Sequence, residues 1–420
     1  MQSCSRRLSS RSSLAALCVL GTAAPRAFGG DLAPITDNRY NLELVFSPVL
    51  ASGRDTALAG ATVALTDGVG GAERSAASPA MRAHSQRDWF AWDADASISF
   101  PGLLSDSGDV LNAGGRAARE SSLAAQGWVH ASAGVNLQFG AFGLTHSTQW
   151  DSFSVQRGEA RLLVNFGRHS ELVAYSLMRG QLILGAGVRI LAASVLSVDG
   201  ASTLLSLGGA APEIGATWMP TNQPYRLSAT ARAPIALNID LGARSGNVAE
   251  SKSLILPEGI RQPWEVDFGM AYQLGPHPMN IGWDNPHDGP VTPIDPAKLA
   301  RTHATMMLSV RVLGSNAEAV SVLGFAEQVK DGSASVTFAP HLALETEPWS
   351  NVVKIRTGTY LEPARLLGST PRPHFTAGLE TRLAYIDIFS FLKGFDLGLQ
   401  AYIDTAPRYT NIGGFFTVWK

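Results

Sequence analysis

Trp264-Glu265-Val266-Asp267-Phe268-Gly269-Met270-Ala271-Tyr272-Gln273-Leu274 alternates between two kinds of side chain along its whole length. Trp264, Val266, Phe268, Met270, Tyr272 and Leu274 form one series; Glu265, Asp267, Gly269, Ala271 and Gln273 form the other. Successive side chains of a strand point to opposite faces, so this segment has one apolar face and one polar or small face. A tilted strand crosses a bilayer in about 9–11 residues, which is the length seen here. The stretch therefore predicts a transmembrane β-strand with its apolar side in lipid and its polar side toward a lumen.

The pattern recurs. Phe90 to Phe100 sets Phe90, Trp92, Ala94, Ala96, Ile98 and Phe100 against Asp93, Asp95, Ser97 and Ser99. Trp128 to Phe139 sets Val129, Ala131, Ala133, Val135, Leu137 and Phe139 against His130, Ser132, Gly134, Asn136 and Gln138. Leu182 to Ile190, Tyr225 to Ala233, Thr305 to Val312, Val336 to Leu344, Phe375 to Leu383 and Phe395 to Ile403 repeat it. Turn signals separate such segments, among them Asp106-Ser107-Gly108, Gly167-Arg168-His169, Asp199-Gly200, Arg244-Ser245-Gly246-Asn247 and Asp331-Gly332. With the weaker segments included, spacing predicts an all-β chain forming an antiparallel barrel of roughly 14 strands over residues 88–420. Closing the sheet would leave no unpaired backbone in lipid. Aromatics at the ends of apolar series (Phe90, Trp128, Trp264, Tyr272, Phe375, Phe395) suit girdles at the two interfaces. A soluble sandwich or a β-helix would also alternate, but polar faces rich in Gly, Ser, Thr and Gln favour the barrel over a sheet wetted by Lys and Glu.

The start of the chain sets the expected compartment. Arg6, Arg7 and Arg11 precede the apolar run Leu14 to Gly21, with small residues after it, as in a secretory signal peptide spanning residues 1–29. Cleavage fits after Gly29, or alternatively near Ala24. Both cysteines, Cys4 and Cys18, fall in this segment, so thiol redox and zinc-thiolate chemistry are not expected of the mature chain. Bulky Leu17 argues against lipidation of Cys18. Removing residues 1–29 takes away four arginines and no acids, leaving 29 basic against 35 acidic residues, a net −6. Nucleic acid is an unsuitable partner for that balance.

Residues 30–87 do not alternate. They carry Arg54-Asp55-Thr56-Ala57-Leu58-Ala59-Gly60-Ala61-Thr62-Val63-Ala64-Leu65-Thr66-Asp67 and then Ser78-Pro79-Ala80. This stretch resembles the N-terminal signature of the outer-membrane long-chain fatty-acid transporter (FadL-like) family and the related PorV-type barrels. That signature runs R..A.GGA..A..D to Asn-Pro-Ala; here Ala59 stands for the first glycine and Ser78 for the asparagine. Leu256-Pro257-Glu258-Gly259-Ile260 together with the strand Trp264 to Leu274 resembles the family's mid-barrel pattern. The resemblance implies a barrel with an N-terminal plug over residues 30–87, built on Arg54, Gly60, Ala61, Asp67, Ser78, Pro79 and Ala80, through which hydrophobic molecules pass. It also covers sister barrels that act in secretion, which leaves a protein-binding scaffold as the alternative reading.

No catalytic motif stands out, and no cofactor or metal is expected. Gly185-Ala186-Gly187 lacks the third glycine of a dinucleotide site. His130, Ser132, His146 and Ser147 read as lumen-lining polar residues rather than a wall-borne Ser/His site. His277, Asp284 and His287, in the proline-rich stretch Pro276 to Pro296, read as loop. Asp93, Asp95, Glu265 and Asp267 share the polar face with Arg189, Arg232, Arg311, Arg356 and Arg382, and buried charges of both signs are expected to pair. The expected partners are outer-membrane lipid, a hydrophobic ligand and the outer-membrane assembly machinery, whose usual terminal aromatic is here next to last, Trp419 before Lys420.

Overall fold

The computed structural model describes residues 32–419 apart from 46–47, 66, 82–88, 105–108, 114–125, 158–159, 198–201, 239–249, 252–253, 276–278, 281–303, 317, 333–334, 350–351 and 389–391. The signal-peptide segment and the candidates His277, Asp284 and His287 lie outside the described residues.

Fourteen antiparallel strands close into one barrel. They are β1 (Phe90–Pro101), β2 (Gln126–Phe139), β3 (Phe142–Arg157), β4 (Ala160–Leu177), β5 (Leu182–Ser197), β6 (Ser202–Trp218) and β7 (Tyr225–Arg232). The ring continues through β8 (Glu265–Leu274), β9 (Ala304–Leu313), β10 (Thr337–Trp349), β11 (Val353–Glu362), β12 (Arg372–Ile388), β13 (Leu392–Ala406) and β14 (Tyr409–Trp419), which pairs with β1. The short connections 140–141, 178–181 and 219–224 lie at one end together with the longer 275–303; the long connections 233–264 and 314–336 lie at the other end together with the short 158–159 and 407–408. In barrels of this kind the short turns face the periplasm and the long loops the cell exterior.

The alternation read from sequence is the alternation in space. In β8, Phe268, Met270, Tyr272 and Leu274 are exposed on the outer surface while Asp267, Ala271 and Gln273 are buried. No helix of the described residues is long and apolar enough to cross a membrane. Aromatics ring the turn end (Phe90, Phe142, Tyr175, Trp218, Tyr272) and the loop end (Trp150, Trp264, Phe338, Phe375), all at least a third exposed. Trp128 is not one of them. It shares parity with His130 and Ser132, so it faces inward, stacks on Phe153 at 4.5 Å and donates from Nε1 to Asp151 at 3.0 Å. The side chain of Phe395 lies outside the described residues.

One further expectation is corrected. Gly167-Arg168-His169 is no turn but the middle of β4, an eighteen-residue strand. Its glycine is an outward gap beside Trp150, and backbone pairing to β3 and β5 on both sides outweighs the local turn preference. Gly259–Gln262, in the stretch likened to a mid-barrel pattern, is a strand of a small sheet among the loops, ordered 319–320, 41–43, 259–262, 235–238. Asn41–Glu43 lies in its interior, parallel to both neighbours.

Residues 49–81 touch the wall on every side. The helical turn Gly53–Ala57 leans on β11 to β14, Thr62–Ala64 on β7 to β9, Val69–Gly71 on β1 to β3, and Ser78–Ala80 on β2 to β5. A segment in contact with strands all around the ring runs within it. Inward-facing glycines make the room. A Cβ at Gly143 would stand 2.0 Å from the Pro79 carbonyl oxygen, and one at Gly185 would stand 1.8 Å from that of Ala76.

Candidate functional site

The lumen divides into a polar middle and an apolar loop end. Its middle is built by register. β7 pairs Arg232 with Glu213 of β6 on one side and with Glu265 of β8 on the other, and β8 pairs Asp267 with Arg311 of β9. Arg232 thus donates to Glu213 at 3.1 Å, Glu265 at 2.6 Å and Asp267 at 2.5 Å, and its remaining nitrogen reaches the Glu73 carbonyl at 2.9 Å. Arg311 lies 3.2 Å from Asp267, and Arg189 lies 4.0 Å from Glu265. On the next arc of the wall, β10 to β12, Arg356 pairs with Glu345 at 2.6 Å and Glu380 at 2.5 Å. Arg382 stands apart from both groups and pairs with Asp396 near the turn end. Taking such charges out of water is costly, and the pairing offsets that cost.

The motif residues tie the inner segment to itself and to the wall. Arg54 donates to Asp67 at 2.9 Å and reaches Glu345 of β10 at 3.5 Å. Asp93 accepts from the Val69 amide at 2.6 Å and from Asn136 at 2.9 Å. Asp95 faces Gly70 on the same side. The Pro79 carbonyl accepts from Gln138 at 2.8 Å, the Ala57 carbonyl from Thr376 at 2.9 Å and the Ala59 carbonyl from His341 at 2.6 Å. Ser78, Ala61 and Ala80 are buried. Gly60 adopts φ 74°, where a Cβ would crowd Arg74. Sequence reasoning missed Asp55, which is fully buried and bonded to Thr62 and Arg74. Its place beside Arg54 was the available signal.

Ala59 also sits in the left-handed region, at φ 53°. An L-residue pays about 1–2 kcal/mol there and glycine does not. Ala59→Gly should therefore stabilise the fold by up to about 1 kcal/mol once glycine's extra chain entropy is subtracted. The midpoint of the heat-modifiable gel shift should rise. An unchanged or lower midpoint would count against strain at this residue.

Burial alone would raise the Asp67 carboxyl, but the guanidiniums of Arg54 and Arg226 outweigh it and hold the group down at about 2. The unfolded value is about 3.9, so this contact adds stability above roughly pH 4 that is lost as pH falls through the folded value. Pepsin should spare residues 49–81 at pH 4 and cut them near pH 2, and Arg54→Met should bring cutting at the higher pH.

At the loop end the inward faces change character. Phe153, Val155, Leu162, Val164, Phe166, Leu191 and Val195 point inward from the upper parts of β3 to β5 and are buried against Tyr40, Leu42, Leu44 and Phe325 from the N-terminal strand and the loops. Glu43 is held by Arg365 at 2.6 Å. Between this apolar cluster and the ion network lies a cavity of about 40 Å³ lined by Leu44, Arg168, Glu265, Arg311 and His341 among others. Arg168 pairs with Asp151 at 3.3 Å, and its buried Nε meets no acceptor among the described residues.

The four Ser/His candidates do not converge. His130 bonds Asp151 at 2.9 Å and Ser132 bonds Ser97 at 2.7 Å, both in the lumen, where Ser147 is buried as well. His146 is corrected: it lies on the outer face of β3, because it shares parity with Phe142 and Trp150 rather than with Ser147. Gly185-Ala186-Gly187 is wall strand. Among the described residues no group of three or more His, Cys, Asp or Glu is placed to hold a metal.

No family profile and no curated protein matches the sequence. Solved structures do match. The P. putida toluene transporter TodX aligns with a TM-score of 0.51 at 10% identity, covering 90% of this chain and 99% of its own. A Pseudomonas aeruginosa FadL homologue aligns at 0.50 and 11% over 93% and 98%, and the CymD monoaromatic hydrocarbon channel at 0.51 and 10% over 90% and 98%. At such identities the likeness is one of fold. The chain thus has the FadL-like outer-membrane barrel fold, closed by 14 strands.

Proposed function

We propose that this protein is an outer-membrane channel for passive uptake of hydrophobic small molecules of the long-chain fatty-acid type, with residues 30–87 as its plug. The observation that carries the reading is the FadL-like barrel closed around residues 49–81, with a packed apolar cluster at its loop end beside a cavity of about 40 Å³ lined by Arg168 and Arg311, room for a carboxylate group once the cluster parts to admit an acyl chain. Arg168 Nε supplies a donor for that carboxylate. The known activities of the structural relatives TodX and CymD, transport of toluene and passage of monoaromatic hydrocarbons, support a channel for apolar cargo. The chain would work in the outer membrane of a Gram-negative bacterium after signal-peptide removal, and transport would follow the concentration gradient.

The test is binding of a fluorescent long-chain fatty acid to the purified barrel. Micromolar binding that Arg168→Leu weakens about tenfold, a loss of roughly 1.4 kcal/mol, is expected, while a hydrocarbon lacking a carboxylate should bind both proteins alike. No binding of either ligand, together with unchanged uptake of hydrophobic compounds in a deletion strain, would overturn the reading. The sheet at the loop end, with the N-terminal strand inside it, favours the second reading, a scaffold barrel that presents its loops to a protein partner.

A further inference from the structure

The cavity beside the apolar cluster has unused hydrogen-bonding capacity of both kinds. His341 Nδ1 lies 2.6 Å from the Ala59 carbonyl oxygen, which can only accept, so Nδ1 carries the ring proton and Nε2 keeps a lone pair. That Nε2 is buried and meets no partner among the described residues, and neither does Oε1 of Gln262, which lines the same cavity. Both side chains are more than nine-tenths buried. Arg168 Nε is the donor left over. The occupant that satisfies this set must accept one hydrogen bond and donate at least one. A carboxylate only accepts, whereas a protonated carboxyl does both. Charge leads the same way. The network around the cavity sets Arg168, Arg189, Arg232 and Arg311 against Asp151, Glu213, Glu265 and Asp267, four of each sign, all in ion pairs. A bare carboxylate added to it would be a buried charge in excess, and such a group takes up a proton rather than stay ionised. The titratable and charged groups around His341 are Arg74 of the inner segment, Arg168 of β4, Glu265 of β8, Arg311 of β9, Tyr360 of β11 and His374 of β12. Arg74 is closed on Asp55, and His374 lies between Glu362 and Asp404.

We propose that the cavity takes the carboxyl group in its protonated form, so that each fatty acid binds together with one proton. This rests on the fatty-acid reading above and adds to it the charge state of the ligand and the residue that selects it. The carboxyl O–H donates to His341 Nε2, with Gln262 Oε1 as the second acceptor, and the carboxyl C=O accepts from Arg168 Nε. At a pH where the free acid is ionised, the ligand leaves water as an anion and the proton comes from solvent. One O–H bond forms on binding and breaks on release, when the proton returns to water. His341 acts here as a specificity residue. Its ring is held by the Ala59 carbonyl and stacks on Tyr360 at 5.5 Å, so the inner segment fixes the tautomer in which Nε2 accepts. A fatty alcohol offers the same donor and acceptor as the acid. A methyl ester offers no donor and leaves both buried acceptors unpaired, which disfavours it.

The test is calorimetric titration of dodecanoate, dodecanol and methyl dodecanoate into the purified barrel, held in amphipol so that no detergent micelle competes. Buffers of different ionisation enthalpy count the protons taken up. About one proton per dodecanoate is expected near pH 8, with a Kd that rises about tenfold for each pH unit, the slope that uptake of one proton requires. The Kd of dodecanol should not change with pH, and the ester should bind about tenfold more weakly than the alcohol. His341→Leu should weaken acid and alcohol by about tenfold and leave the ester unchanged; the comparison of the three ligands on the unmodified protein stands by itself if this variant fails to fold. Dodecanoate binding without proton uptake, an alcohol that binds no better than the ester, or a His341→Leu loss shared equally by the ester would each overturn the proposal and leave the fatty-acid channel in place. Failure of all three ligands to bind would count against the channel reading itself and take the proposal with it.

Discussion

Replacing Arg232 by methionine is expected to lower the unfolding free energy by about 3–5 kcal/mol, the usual consequence of removing one partner from a buried ionic group. Arg232 is 4% exposed and meets Glu213, Glu265 and Asp267 at once. Without it the lumen holds three carboxylates served by Arg189, at 4.0 Å from Glu265, and Arg311. It also loses the hydrogen bond that ties the Glu73 carbonyl to the wall. Tryptophan fluorescence during denaturation in detergent would report the loss, and Glu213→Gln added to Arg232→Met should restore part of it. A change below about 1 kcal/mol would mean that water enters the lumen and screens these charges as it does on a surface.

Gly143→Leu and Gly185→Leu should have the largest effect on permeation. Each places a side chain where the backbone of Ala76 or Pro79 now runs, closer than any contact can be. The wall is held by continuous ladders on both sides of each glycine. The inner segment near residues 76–80 is held mainly by side-chain bonds such as that from Gln138 to Pro79. The segment therefore gives way first. If residues 30–87 plug the barrel, single-channel conductance in planar bilayers should rise severalfold for either variant. Normal heat-modifiable mobility with unchanged conductance would show that this part of the segment does not obstruct the path.

Legibility in the sequence followed the environment of each residue. Where one face of a strand meets lipid and the other a polar lumen, the chain must alternate, and β1, β2 and β8 could be read to within a few residues. The upper parts of β3 to β5 could not. There, Phe153, Phe166 and Leu191 are apolar on the inward face because the N-terminal strand and loops cover them, so the two faces no longer differ. The same blending hid the parity of Trp128 and let the centre of β4 pass for a turn. Inward charges were visible as a set, including Arg189, Arg232, Glu265 and Asp267. Their partners were not, since Glu213 sits in a strand whose alternation is weak.

What the sequence by itself determined is the period, the approximate strand number and the sidedness of most wall residues. These depend on each side chain's preference for lipid or water, a property local to the residue. Only the tertiary structure decided which charges pair, where residues 49–81 run and which groups line the cavity beside His341. Arg54 meets Glu345 across 291 positions of chain, and the Ala57 carbonyl meets Thr376 across 319. Such contacts arise from register and closure of the ring, which are set by every strand together and are written in no single stretch of it.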